Sequence, residues 1–177
     1  MSESLKFSLT HAIIQSAIVL PDLWYTPPWK IDPRIILYHT SFKIQFAHYF
    51  FLFYILLDTF KYYNTLKYDE YIHHIMTFIG LSTSLYIGPH YIGYFCLANE
   101  VSTIFLHLRH YVKYKFLCKV LFLITFTVFR MFLNLYLLYW TVKHIGFGIS
   151  LIAQLIPYSI NIWWYRRILK IAFNYKK

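Results

Sequence analysis

The chain reads as an all-α, polytopic membrane protein: about six transmembrane helices gathered into a bundle or barrel. Apolar residues make up 59% of the 177 residues and charged residues only 14%, against about 25% charged in a soluble domain. So little charge cannot cover a water-facing surface. The apolar residues also fall into long runs, near 5–20, 35–60, 71–87, 91–108, 116–141 and 149–169. Run length, rather than average hydrophobicity, is what marks a membrane span. The length suits one domain covering residues 1–177, with a core near 5–170.

The first run is the weakest span, because at about 1.5 Å per residue it barely crosses a hydrocarbon core of about 30 Å. Its Ser8, His11 and Gln15 share one helical face. Residues 21–33 hold four prolines, which stop a helix, together with Trp24, Tyr25 and Trp29, which suit a membrane interface. An interfacial loop is expected there. The second run is long enough to span with tilt. His39 and Lys43 stand one turn apart near its start, and Asp58 falls near its far end, at headgroup depth. The third and fourth runs are joined by Gly88-Pro89-His90, a connection short enough to make them antiparallel neighbours. Residues 109–119 form a basic loop before the fifth run. The sixth run contains Pro157, an expected kink.

The net charge of +10 is distributed unevenly. With six spans, twelve of the 17 Lys and Arg residues fall on the side of the N-terminus, the second-to-third and fourth-to-fifth connections and the C-terminus. Three, namely Lys30, Arg34 and Lys143, fall on the other side. The positive-inside rule then places both termini in the cytosol. Nucleic-acid binding is excluded, because the cations punctuate apolar runs instead of forming one basic footprint. Cys96 and Cys118 lie in or beside apolar runs and fit neither a disulfide framework nor a zinc pattern. A cleavable signal peptide and an N-glycosylation sequon are not evident.

The chemistry is expected on the polar stripes of these runs. The third offers His73, Thr77 and Ser84; the fourth Glu100, Thr103 and His107; the fifth Thr127, Arg130 and Asn134; the sixth Gln154, Tyr158 and Asn161. Stripes that converge would line a polar cavity in which midplane charges meet partners instead of lipid; ordinary interhelical hydrogen bonding would use the same residues. Glu100 and Arg130 are the full charges nearest mid-run, and a buried ion pair between the fourth and fifth runs is one reading of them. His73 and His74 point about 100° apart on a helix, so they do not chelate one ion together. An imidazole there suits general-base work on a hydroxyl or amine. The candidate catalytic residues are therefore His73, His74 and Glu100, and the candidate substrate-binding residues His11, Thr103, His107, Arg130 and Asn134. The nine His are scattered, so no metal is expected. No cofactor is expected either.

Several of these segments resemble the TLC domain, the family of translocation-associated membrane proteins, the Lag proteins and CLN8. Ser8-Leu-Thr-His11-Ala12 is similar to its first-span element, Tyr71-Ile-His73-His74-Ile-Met-Thr to its His-His element, and 97–109, with Glu100, Ser102, Phe105 and Arg109, to its Glu-x-Ser element. Phe129-Arg130 resembles a later Phe-Arg. Within the family the likeness is to the small members of the TMEM56 type. The resemblance implies a lipid protein of the endoplasmic reticulum or another endomembrane, with membrane lipids as partners and a role in lipid homeostasis. It further implies binding or modification of long-chain acyl or sphingolipid-type lipids in an internal cavity. Ceramide synthases of the superfamily use acyl-CoA, which would be a co-substrate here. Their His-Asp pair is replaced by Asn99-Glu100, and their second acid by Thr103. The resemblance also leaves open a lipid sensor, a membrane-composition regulator or a CLN8-like cargo protein. For the last, Lys176-Lys177 lacks the usual retrieval spacing.

Overall fold

The computed structural model of the protein describes residues 3–32, 35, 40–64, 66, 68–86 and 89–173. Arg34, His39, Lys67, Gly88 and the Lys176-Lys177 pair lie outside them. The described residues form helices and no strand. Helix α1 is Glu3–Tyr25, α2 Phe42–Tyr62 and α3 Tyr68–Tyr86. Helix α4 covers 90–108 and is continuous through a single 3₁₀ turn at Leu97–Asn99. Helix α5 is Lys115–His144, and α6 is Ile149–Phe173. Of these, α5 is long and apolar enough to cross a membrane by length and composition.

Two elements differ from the sequence expectation. Helix α1 does not stop at the proline cluster but runs through Pro21 to Tyr25. A proline near a helix end removes one backbone bond, and here the next turn is anchored from outside. Lys43 Nζ lies 2.7 Å from Asp22 Oδ1. Tyr94 Oη donates to Asp22 Oδ2 at 2.7 Å and to Ile18 O at 2.9 Å. Helix α5 contains a π-helical stretch, Phe126–Leu133, which no residue pattern announces. The second run starts at a proper cap, with Ser41 Oγ accepting from Ile44 N at 3.4 Å.

Helices consecutive in the chain run antiparallel. Lys61 Nζ reaches Glu3 Oε2 at 3.4 Å and Arg167 Nη1 reaches Asp69 Oδ2 at 3.4 Å. These contacts gather the start of α1, the end of α2, the start of α3 and the end of α6 at one end, called here the basic end. Asp22, Lys43 and Tyr94 mark the opposite end. The apolar core lies toward that opposite end, around Val19, Ile44, Ala47, Tyr94 and Phe95.

The junction of α3 and α4 is tight. Gly93 N donates to Ser84 Oγ at 3.2 Å, and Ser84 Oγ donates to Pro89 O at 3.0 Å. A Cβ on Gly93 would collide with Ser84 Oγ and lie 2.6 Å from His48 Nε2. By propensity alone Gly→Ala in a helix gains about 1 kcal/mol. Here overpacking opposes it at about 1–3 kcal/mol. Gly93→Ala is therefore expected to lower the melting temperature in detergent, and a variant melting at or above wild type would show that this junction yields freely.

Candidate functional site

The six helices surround a chamber of about 1480 Å³ that reaches to the basic end. Every helix contributes to its wall: Ser8 from α1, Tyr54 and Asp58 from α2, His73 and His74 from α3, Glu100, Thr103 and His107 from α4, Arg130 from α5 and Trp164 from α6. A second, much smaller chamber of about 90 Å³ lies toward the opposite end, lined by Thr77, Ser84, Asn99, Asn134, Gln154, Tyr158 and Asn161 among others. Phe51, His73, Glu100 and Arg130 line both. They form a waist between the chambers.

Arg130 is the centre of the waist. It is 6% exposed, inside the π-helical stretch of α5. A guanidinium carries five N–H donors and does not shed its charge, so burial demands acceptors on several sides. Nε donates to Ser102 Oγ at 2.8 Å, Nη2 to Thr103 Oγ1 at 3.0 Å and Nη1 to Asn161 Oδ1 at 3.3 Å. Glu100 Oε1 lies 3.9 Å from Nη2. The Phe126 ring stands 5.4 Å from the guanidinium carbon, one turn earlier on the same helix. The expected pairing of Glu100 with Arg130 thus occurs as a long ionic contact, while neutral oxygens make the short bonds. Asn134, the next turn along, donates to Asn99 Oδ1 at 3.3 Å.

The two histidines have different surroundings. His73 packs its ring 4.8 Å from that of Trp164, and its Nδ1 is 3.5 Å from Thr77 Oγ1. His74 Nδ1 is 3.0 Å from Thr59 Oγ1, and its Nε2 is 3.7 Å from Asp58 Oδ2. Both rings face the wide chamber, with centroids 6.2 Å apart.

Asp58 joins the site, which the sequence reading did not expect. It is 5% exposed, in the chamber wall beside His74. The argument that singled out Glu100 applies to it as well: it is the one acid in the second apolar run. Of the expected site residues, His73, His74, Glu100, Thr103, His107 and Arg130 reach the wide chamber, and Asn134 reaches the small one. His11 reaches neither. It stacks on Tyr54 at 3.6 Å between centroids, with Phe51 at 4.8 Å and Phe50 at 5.2 Å. Tyr54 forms the wall and His11 stands behind it, because the polar face of α1 turns toward α2 and α4. Gln15 likewise packs between helices and Thr127 bonds Tyr165 Oη at 3.1 Å. Among the described residues no group of three or more His, Cys, Asp or Glu is placed to hold a metal ion.

The family model of the TLC domain matches residues 3–170. The chain belongs to the TLC domain family. No curated protein and no solved structure gives a significant match. A TLC domain is membrane-integral and lipid-associated, which agrees with the apolar helices and with the chamber they enclose. In this TLC domain a carboxylate beside the His pair comes from α2, as Asp58, whereas α4 supplies the single acid Glu100.

Leaving one buried charge without its partner typically costs about 3–5 kcal/mol. Arg130→Met is expected to destabilise the protein on that scale, because Glu100 and three neutral acceptors lose their donor together. Adding Glu100→Gln should restore part of the loss. Unfolding of both single variants and the double variant in detergent measures the coupling; strictly additive effects would mean that the 3.9 Å contact contributes nothing.

Proposed function

We propose that this TLC domain holds a long-chain acyl or sphingolipid-type lipid in the wide chamber, as a multi-pass protein acting in lipid homeostasis. The observation that carries this is the chamber itself. At about 1480 Å³ it exceeds the usual small-ligand range of about 300–1,000 Å³. Its wall carries apolar side chains, among them Ile55, Leu106, Val120, Leu123 and Ile168, with charged ones such as Glu3, Asp69, Glu70 and Arg109 toward the basic end, and its base is the polar waist. A chain can lie against the former while a carbonyl, amide or hydroxyl meets His73, Glu100 or Arg130.

Six membrane spans agree with the helix lengths: α1, α2, α3 and α6 have 23, 21, 19 and 25 residues, or about 28–38 Å at 1.5 Å per residue. Exposed aromatic residues collect at both ends, Trp24, Tyr25, Trp29 and Phe147 at one and Tyr63, Tyr68, Tyr114 and Phe116 at the other, as interface belts do. The basic end is assigned to the cytosol by its excess of Lys and Arg, which puts both termini there. The endoplasmic reticulum or another endomembrane is the proposed location.

A catalytic version is favoured by one observation: His73 borders both chambers beside Glu100, within a site that also holds Asp58 and His74. In this version an acyl-CoA is bound with its phosphates near Arg109 and Lys115 at the mouth of the chamber. His73 accepts the proton of an amine or hydroxyl acceptor as that atom attacks the thioester carbon. The C–S bond then breaks, the new C–N or C–O bond remains, and the CoA thiolate leaves and takes up the proton from the imidazolium. Arg130 would stabilise the carbonyl oxygen as it gains charge.

Lipid profiles of cells expressing the wild type, the His73→Ala/His74→Ala double variant and Glu100→Ala, matched for membrane level, test both versions. One lipid class should change with wild type and revert in both variants. Native mass spectrometry of the purified proteins should show bound lipid in wild type and at least about tenfold less in Arg130→Met, equal to about 1.4 kcal/mol. Bound lipid with unchanged profiles would leave binding and remove catalysis; no bound lipid at all would remove the proposal.

A further inference from the structure

Helix α6 carries two adjacent tryptophans that face different ways. Trp163 is 47% exposed, and its ring stands 4.7 Å from the guanidinium carbon of Arg167, as suits an interfacial residue. Trp164 instead lines the wide chamber, three residues on from Asn161, which accepts from Arg130. Its Nε1 donates to Asp69 Oδ2 at 3.2 Å. Its ring stands 4.8 Å from that of His73, with the planes 56° apart. Asp69 and His73 are four residues apart on α3, so they are neighbours on one helical face, about 5–6 Å apart at Cβ. One indole thus bridges a carboxylate and an imidazole of the same helix.

The imidazole of His73 depends on such a contact. The χ2 torsion of histidine is broad and roughly two-fold, so the backbone alone does not fix where its nitrogens point. Its own bonds fix little more. Thr77 Oγ1 is 3.5 Å from Nδ1, at the limit of a hydrogen bond. Nε2 has no hydrogen bond among the described residues. His74 is different, with Thr59 Oγ1 3.0 Å from Nδ1 and Asp58 Oδ2 3.7 Å from Nε2. A ring bonded as loosely as His73 is placed by what it packs on, and that is Trp164. The indole in turn is held by a bond to a carboxylate, roughly twice as strong as one between neutral groups.

We propose that Trp164, anchored by Asp69, is a positioning residue for His73, setting the imidazole so that Nε2 meets the acceptor in the wide chamber. The proposal rests on the catalytic reading of that chamber. Asp69 stands a full turn from His73 and acts on it through the indole. Such placement matters, because an error of about 1 Å in a reacting group costs about 100-fold in rate. Arg167 Nη1 shares Asp69 Oδ2 at 3.4 Å, but its side chain is 60% exposed, and a pair of that kind contributes little. Docking of α6 on α3 would use both bonds alike. Positioning uses only the indole.

The test is nuclear magnetic resonance of the full chain in phosphatidylcholine nanodiscs with ring-labelled histidine, the His73 signals being identified by their loss in His73→Ala. Asp69→Asn keeps the indole and removes the charge that holds it. The ring C–H signals of His73 should shift or divide, while those of His48 and His144, at the opposite end, stay in place and report an intact fold. Trp164→Leu should also move them, and adding Asp69→Asn to Trp164→Leu should then change nothing further. Arg167→Gln should leave them where they are. In cells, Asp69→Asn and Trp164→Leu should each reduce the lipid change that depends on His73 at least tenfold, with bound lipid in native mass spectrometry unchanged. His73 signals unmoved by Asp69→Asn, or moved equally with and without Trp164, overturn the positioning role. Moved signals with an undiminished lipid change overturn its part in the chemistry. A wild type with no His73-dependent lipid change overturns the catalytic reading instead, and the signals still decide whether the indole places the ring.

Discussion

A guanidinium that cannot lose its proton sits 6% exposed in the middle of this bundle, and much of the architecture answers its demand for acceptors. Arg130 draws Ser102 and Thr103 of α4 and Asn161 of α6 to within hydrogen-bond distance. Three helices are thereby tied at one level. The π-helical stretch belongs to the same requirement, since widening the turn by one residue keeps Phe126 stacked near the guanidinium while the side chain still reaches both neighbours. A row of polar groups at this level cannot close as tightly as the apolar layer around Tyr94 and Phe95, so space remains above and below it.

That division of labour separates stability from function along the bundle axis. Toward the opposite end, α1, α2 and α4 are locked by Asp22, Lys43 and Tyr94, and α3 meets α4 so closely that Gly93 has no room for a methyl group. Toward the basic end the contacts are thinner and are made by long exposed side chains, as in Lys61 with Glu3, worth little in water. The rigid end holds the waist in place. The looser end can admit a ligand without unpacking the core.

The six-helix order was legible because each run is long and bounded by polar or Gly/Pro breaks, and Glu100 and Arg130 stood out as lone charges in apolar runs. The stripes of α3 to α6 were legible for the same reason: a helical period of 3.6 puts Thr77 with Ser84, and Gln154 with Asn161, on one face. What a period does not contain is the identity of the neighbour. Ser8, His11 and Gln15 share a face, but that face meets the rings of α2, so only Ser8 reaches the chamber. Asp58 was not picked out for the site because it stands near the end of its run, whereas its place in the chamber wall comes from the packing of α2 on α3 beside His74. The π-helical stretch and the continuation of α1 past Pro21 depend on tertiary bonds to Arg130 and Asp22, which no local window includes.

The positions of the charges also constrain how a headgroup and the waist are related. Lys119 and Arg130 are eleven residues apart on α5, about 16 Å along the helix. Under the proposed lipid reading, a headgroup held at the level of Lys119 would therefore present the middle of its chain, not its carbonyl, to His73 and Glu100. Chemistry at the waist would require the polar end to descend. Arg130, with Glu100 3.9 Å away, would then offer it a positive site whose charge is already nearly balanced. Binding there would compete with Ser102, Thr103 and Asn161 for the donors of the guanidinium, so the hold of the waist on a polar end would be set by how far those neutral acceptors give up their bonds.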